Sequence, residues 1–365
     1  MAWAAPVVVA GAVVAGVMVT GATASDASPT LPSRTPAQLI AAVLNSNATT
    51  LIGKFQETAN FGIPSLPGDH GSASLSWQTF ISGTHSARVW ADGADKQRVA
   101  LIGELSEADV VHNGSDVWSY TSDTNTVTHS TIPKGTHADQ TPSAADATPA
   151  AIAARALKAV GPSTKVSVDN SSMVAGRAAY TLVLQPRDTR STVREVTIAI
   201  DATKFIPLQV SVYGSGSTPA FRTGFTSISF AKPSASTFVF HTPAGATTSN
   251  DPFGINNTHG DHHGSRHQKV TGKPEATDPS AGASSKAKVL GTGWTSVVEL
   301  PAGKGGAASV LNGNMLQDLT SPIGSSGDRL LHTALVNAVI LADGRTFVGA
   351  VQPALLEHIA ATTPH

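Results

Sequence analysis

The densest group of side chains able to do chemistry is THGDHHGSRHQ at residues 258–268, where His259, His262, His263 and His267 surround Asp261. Neutral imidazoles at this density bind zinc, nickel or copper to some degree. A resident metal needs more, namely a scaffold that fixes ligand geometry and partners that orient each ring. The flanking residues are Gly, Ser, Thr, Pro and Asp with almost no apolar periodicity, so the segment reads as a linker, and its histidines are weak metal candidates. Ser285 and Lys288 have the spacing of a serine–lysine nucleophile pair but stand at the end of that linker. YGSGS at 213–217 reads as a hairpin loop and not a phosphate cradle, and no G-x-S-x-G elbow follows a strand. The chain has no cysteine, which removes disulfides, thiolate metal sites and thiol catalysis. Its net charge is −1 and charged residues make up 13%, which leaves no basic footprint for nucleic acid. The expectation is a protein without catalytic residues or cofactor.

Aromatic side chains are the next resource. Trp77, Phe80, Trp90, Trp118 and Tyr120 fall within one run of strand-like segments. They suit an ordinary packed core, and they equally suit the wall of an apolar ligand site. The elements that must position them are legible in outline. Thr35-Pro36 and Thr148-Pro149 each pair an N-cap residue with a proline at the first helical position. Leu39, Ile40, Val43 and Leu44 give the first helix an apolar stripe, and Ile152, Ala156, Leu157 and Val160 give one to the second. Between about 50 and 132, strand patterns are broken by Asp92-Gly93, Asn113-Gly114 and Asp123-Thr124-Asn125, which is turn chemistry. A second strand series runs to TFVFHTP, whose last residue is Pro243. Within it Val196, Ile198 and Ile200 alternate with polar residues, and so do Leu208, Val210 and Val212, as in half-buried antiparallel strands.

Residues 288–362 read as a small β-α-β-β-α unit, with a helix over SVLNGNMLQDLT and a hairpin over Asp343-Gly344. At the other end, residues 2–20 carry no charge, and Ala22-Thr23-Ala24 fits a signal-peptide cleavage site. The apolar run is also near the length that spans a bilayer. Residues 1–24 are therefore expected to be a signal peptide or a membrane anchor, and the chain to be exported.

The segments SARVWADGADKQRVAL, ADVVHNGSDVWSYTSDTNTVTHSTI, YTLVLQPRDTRSTVREVTIAIDATKFIPLQVSVYG and FTSISFAKPSASTFVFHTPAGA, in that order, resemble the LolA-like superfamily. That superfamily includes the lipoprotein carrier LolA and the sigma-factor regulator RseB, also called MucB. The motifs concerned are Asn113, Gly114, Trp118 and Tyr120 in one hairpin, and Phe238, Phe240, Pro243 and Gly245 near the end. The likeness is greatest to the actinobacterial branch, with its N-terminal hydrophobic segment and added C-terminal unit. The resemblance implies a mainly β, α+β fold: an unclosed antiparallel β-barrel over 35–247, with helices covering an apolar cavity. A linker at 248–287 and the small α+β unit at 288–362 follow. It implies cavity-wall candidates Trp77, Phe80, Trp90, Leu101, Trp118, Tyr120, Ile198, Ile200, Val210 and Phe225. The carrier's Arg-Pro after the Trp-bearing strand is replaced by ADGADKQ, so its arginine latch is not expected here. The function implied is an exported, non-catalytic carrier of lipid or lipoprotein acyl chains at the cell envelope. The alternative is an envelope-stress regulatory module that binds an anti-sigma or other membrane-protein partner.

Overall fold

The computed structural model describes residues 29–46, 49–62, 82–102, 107–132, 148–249, 287–302 and 317–364. The leader, Trp77, Phe80, Ser285, the histidine cluster and most of the expected helix over SVLNGNMLQDLT lie outside the described residues.

Helix α1 (Pro36–Leu44) starts as its sequence predicts. Thr35 Oγ1 accepts from Gln38 N, and the Gln38 side chain accepts from Thr35 N, which satisfies two of the orphan donors of the first turn. Helix α2 (Pro149–Lys158) starts on Thr148, whose Oγ1 accepts from Ala151 N at 3.3 Å. The apolar stripes hold in part. Leu39 and Leu157 are buried, whereas Leu44, at the last position of α1, is 53% exposed.

Twelve strands form one sheet: β1 (Thr50–Asn60), β2 (Ser82–Asp92), β3 (Lys96–Ile102), β4 (Glu107–Asn113), β5 (Asp116–Thr121), β6 (Thr126–Thr131), β7 (Thr164–Val174), β8 (Arg177–Pro186), β9 (Glu195–Asp201), β10 (Pro207–Tyr213), β11 (Phe221–Ser229) and β12 (Thr247–Ser249). Their spatial order is β12-β6-β5-β4-β3-β2-β1-β11-β10-β9-β8-β7, so two hairpin series meet where β1 pairs with β11 and the sheet does not close. Every ladder is antiparallel except that of β12, which runs parallel to β6. TFVFHTP is not the strand its alternation suggests. A 3₁₀ turn over Ala235–Phe238 places Phe238 against the sheet at 1% exposure, and the chain then crosses to the far edge before pairing. Burying one large ring outweighs a few ladder hydrogen bonds at an edge.

Residues directly opposite in a ladder share a face. The inner face of β8–β10 carries Leu182, Leu184, Ile198, Ile200 and Val210, which pack with Leu39, Ala153 and Leu157 of the two helices. On β1–β3 and β11 the same face carries Phe55, Ala87, Val89, Val99 and Phe225, in a cluster that contains no helix residue. Phe55 and Phe225 meet edge to face at 6.1 Å. Their contact explains Gly53: a Cβ there would stand 2.5 Å from the Phe225 ring. Gly53→Ala is therefore expected to cost about 1–3 kcal/mol by overpacking, read as a lower urea midpoint with an unchanged slope.

A second sheet has the order β13 (Lys288–Leu290), β14 (Val297–Leu300), β18 (Thr346–Gly349), β17 (Asn337–Ile340), β16 (Asp328–Leu331) and β15 (Ser321–Ile323), with helix α3 (Pro353–Thr362) packed on it through Leu356 and Ala360. It has more strands than its sequence suggests. RLLHTALVNAVIL makes two strands, because Thr333 and Asn337 fold the chain back between them. Asn337 Oδ1 accepts from Thr333 N and pairs with His332 Nδ1, while Thr333 Oγ1 donates to Val336 O. The hairpin over Asp343-Gly344 forms as expected.

The two sheets are joined by hydrogen bonds and by packing. Thr192 N donates to Ala350 O at 3.0 Å, Gln352 N to Arg190 O at 2.8 Å, and Ala334 N to Phe61 O at 2.8 Å. Ser191 and Val351 form an isolated antiparallel bridge. Leu335, in the β16–β17 turn, enters the core cluster beneath α1 and α2. Trp294 packs against that cluster and donates through Nε1 to Thr164 Oγ1 at 2.8 Å. Gly214 admits this approach, since a Cβ there would lie 2.5 Å from Ala334 O.

Candidate functional site

The ladder separates the sequence-derived wall residues into two groups. Leu101, Ile198, Ile200, Val210 and Phe225 lie on the inner face. Trp90, Trp118 and Tyr120 lie on the outer one, since Trp90 opposes Arg98, Trp118 opposes His129, and Tyr120 opposes Asp109. Strand alternation alone does not say which face of a long sheet points inward, and here the buried face changes partway along the sheet.

On β4–β6 the outer face is the covered one, with Asp109 at 5% and Val111 and Val127 at 0% exposure. Its cover is the strap at 230–249 that follows β11. Arg98 grips Asp109 at 3.0 and 2.6 Å and also donates to Thr237 O at 3.1 Å, so one guanidinium ties the strap to the sheet. The Trp118 ring is stacked between His129 at 3.8 Å and Phe240 at 5.2 Å. His129 Nε2 in turn pairs with Asp116 Oδ1 at 2.8 Å. Trp118→Ala is therefore expected to loosen the strap, seen as faster amide exchange at Thr247 and Thr248, while binding to the inner face stays unchanged.

The inner face has a sealed part and a half-open part. Ile198, Ile200 and Val210 are filled over by the protein's own side chains, at 0, 0 and 1% exposure. On β3–β5 the same face presents Leu101, Ala108, Val110 and Val117, each half-buried among the described residues. This apolar strip is continuous with the Ala87–Phe55–Phe225 row, because Leu101 opposes Ala87 and Phe55 opposes both Ala87 and Phe225.

One row further along, the face turns polar. Glu57 opposes His85 on β2 and Thr223 on β11. Sequence reasoning missed these three. A carboxylate in register with Phe55 and Ala59 on an otherwise apolar face was the signal available. Burial pushes the Glu57 carboxyl above its ordinary range, and the charge of His85 pulls it back only in part. A carboxyl whose folded-state value is raised adds stability at low pH and loses it as pH rises through that value. Glu57→Gln should thus melt increasingly higher than the parent chain as pH goes from 4 to 7; a pH-independent difference would refute this assignment.

A cavity of about 440 Å³ lies at the joint of the two sheets, lined by Asp188, Val193, Arg194, His332, Ala334 and Gln352 among others. Arg190 holds the half-buried Asp188 carboxyl down to about 2 through paired hydrogen bonds. Among the described residues no group of three or more His, Cys, Asp or Glu could hold a metal ion, and no helix is long and apolar enough to cross a membrane.

No protein-family model matches the chain, and no curated protein matches it. Solved structures similar to it include MucB at 16% identity, covering 90% of this chain and 96% of that one with a TM-score of 0.41. The Pseudomonas aeruginosa MucA/MucB complex is similar at 15% identity, covering 88% and 94% with a TM-score of 0.40. A LolA superfamily protein from Nitrosomonas europaea is similar at 8% identity, covering 57% and 99% with a TM-score of 0.22. The described chain thus combines an unclosed β-sheet, two helices on its inner face and a strap returning to its edge with a second sheet.

Proposed function

We propose that the chain is a non-catalytic binding protein of the cell envelope that holds an acyl chain of a lipid or lipoprotein on its inner face. The observation that carries this is the half-open strip of Leu101, Ala108, Val110 and Val117, continuous with a buried apolar row. Each methylene laid on such a surface contributes about 0.8 kcal/mol, so a long chain binds without any catalytic group. The helices on that face are short, at nine and ten residues; α2 buries Pro149, Ala153 and Leu157 and packs Ile152 and Ala156 against the same cluster. Native mass spectrometry of membrane-extracted protein should detect an acylated molecule. Val110→Lys should weaken binding of a fluorescent fatty acid at least tenfold, while Ser86→Lys on the outer face leaves it intact. Unchanged binding by Val110→Lys would sink this reading.

A second reading, a regulatory module that binds a membrane protein, is favoured by the way Leu335 enters the core beneath the helices. An event at the second sheet would then be felt at the inner face. Capture of a membrane protein by the intact chain that is lost on Leu335→Ala supports this second reading over a simple carrier.

A further inference from the structure

One end of the large sheet meets the second sheet, at Phe61, Thr192 and Gly214. The opposite end carries the β7–β8 turn, the β9–β10 turn and the last turn of α1. These are tied together: Ser46 Oγ donates to Lys204 O at 2.8 Å, Ala202 N donates to Ala178 O at 2.9 Å, and Arg177 pairs with Asp201. The described chain also begins here, since Ser171 Oγ donates to Pro29 O and Tyr180 Oη to Pro32 O. Two large apolar side chains stand out from this end, Leu44 at 53% and Met173 at 57% exposure. Phe205, at the tip of the β9–β10 turn, has φ of +54°, a conformation that strains a bulky residue and calls for a reason. The Arg34 guanidinium lies 4.8 Å from the centroid of its half-exposed ring. Arg34 and Lys204 are exposed, while the carboxylate between the turns, Asp201, is 1% exposed and already paired. Further along the same end the charges balance: Lys232 pairs with Asp92, Asp95 is next to Lys96, and Asp116 pairs with His129. The basic excess is thus confined to the β7–β10 part of the end, where the chain enters.

We propose that this end of the sheet docks on the surface of an anionic bilayer. Leu44, Met173 and Phe205 reach between the headgroups, and Arg34 and Lys204 pair with lipid phosphates. Two observations select a membrane as the occupant. The first is charge: a chain of net charge −1 places two exposed cations beside its exposed apolar side chains. The second is where the chain comes from. Pro29 stands nine positions after Thr20, the last residue of the uncharged 2–20 stretch, and nine extended residues reach about 30 Å at most. With that stretch at a bilayer, this end is the part of the sheet held nearest to it. Strands of eleven residues run about 35 Å, so the second sheet is carried away from the surface. Stable attachment takes two signals, such as an apolar segment and a basic patch, and this end supplies the second. Attraction of Lys and Arg to anionic headgroups fades within a Debye length, so the docking is sensitive to salt. It does not depend on what the inner face holds.

The chain has no cysteine, so an introduced one is a unique site for a label. Full-length chains with Leu44→Cys, Met173→Cys or Ser325→Cys are labelled with a nitrobenzoxadiazole fluorophore. Ser325 is the distant control: it lies in the β15–β16 turn, at the other end of β16 from the turn that meets the large sheet. Each chain is bound to vesicles of brominated phosphatidylcholine, with or without phosphatidylglycerol. With phosphatidylglycerol, quenching at positions 44 and 173 should exceed that at 325 at least twofold. High salt should remove most of this excess, and so should Arg34→Gln/Lys204→Gln, whose urea midpoint checks that the fold is kept. If that midpoint falls, the salt series on the parent charges decides alone. Equal quenching at all three positions, or quenching greatest at 325, overturns the proposal. An excess at 44 and 173 that persists unchanged without phosphatidylglycerol and in high salt also overturns it, because the leader alone would then bring the chain to the bilayer. Binding of a fluorescent fatty acid reads the inner face separately, so failure of either result leaves the other standing.

Discussion

Leu335→Asp should destabilise the large sheet as much as the small one. Leu335 belongs by sequence to the second unit, yet it is 7% exposed within the cluster of Leu39, Leu157, Leu182 and Ile198. Truncating such a leucine to alanine costs about 2–5 kcal/mol. Placing a carboxylate there adds the cost of an unpaired buried charge. The backbone around it is held by Ala334 N to Phe61 O, and Thr192 Oγ1 donates to Leu335 O, so the side chain cannot withdraw without breaking those bonds. Hydrogen exchange should show β8 and β9 opening more readily in both Leu335→Ala and Leu335→Asp. If only β16 and β17 lose protection, the second unit is an appendage and not part of the main core.

Arg98→Met should cost about 3–5 kcal/mol at neutral pH, because it strands Asp109 as a buried charge without its partner. The Asp109 side chain is 6% exposed and that of Arg98 is 29%. Burial already pushes the Asp109 carboxyl above its ordinary range, with Arg98 opposing through hydrogen bonds and charge. Removing Arg98 removes that opposition, so in the variant the carboxyl rises further. A raised folded-state value means that stability is retained at low pH and lost as pH climbs through it. The deficit of Arg98→Met relative to the parent chain should therefore be smallest near pH 4 and grow toward pH 8 in urea titrations. The double variant Arg98→Met/Asp109→Leu should recover much of the loss, since a hydrophobic replacement leaves no charge to bury. A deficit that does not change with pH would show that Asp109 stays ionised throughout and that the strap contact at Thr237 O carries the effect.

Local chemistry was legible wherever it is dictated by neighbours in sequence. Thr35-Pro36 and Thr148-Pro149 start helices because an N-cap oxygen and a fixed proline φ act within one turn. The alternation of Val196, Ile198 and Ile200 marks a strand, and the structure has it, but Ala199 and Asp201 on the other face are buried as well. The alternation of TFVFHTP was misleading, since Phe238 is buried by a 3₁₀ turn against β3 and β4, a contact made across more than a hundred residues of chain.

The site was less legible. Trp90, Trp118 and Tyr120 looked like one wall with Leu101 and Phe225, but pairing sends them to opposite sides of the sheet. Glu57, His85 and Thr223 are separated by up to 166 positions and become a row only through the register of β1 with β2 and β11.

The sequence by itself determined where α1 and α2 begin, where most strands of the large sheet run, and that thiol chemistry is absent, because capping, alternation and composition act locally or need no geometry at all. Only the tertiary structure decided which sheet face is sealed, where the strap crosses, that Leu335 completes a core to which its own segment does not belong, and that three scattered polar residues face one another. Those outcomes depend on strand register and sheet curvature, which sum many weak contacts between distant parts of the chain and leave no signature in any one stretch of it.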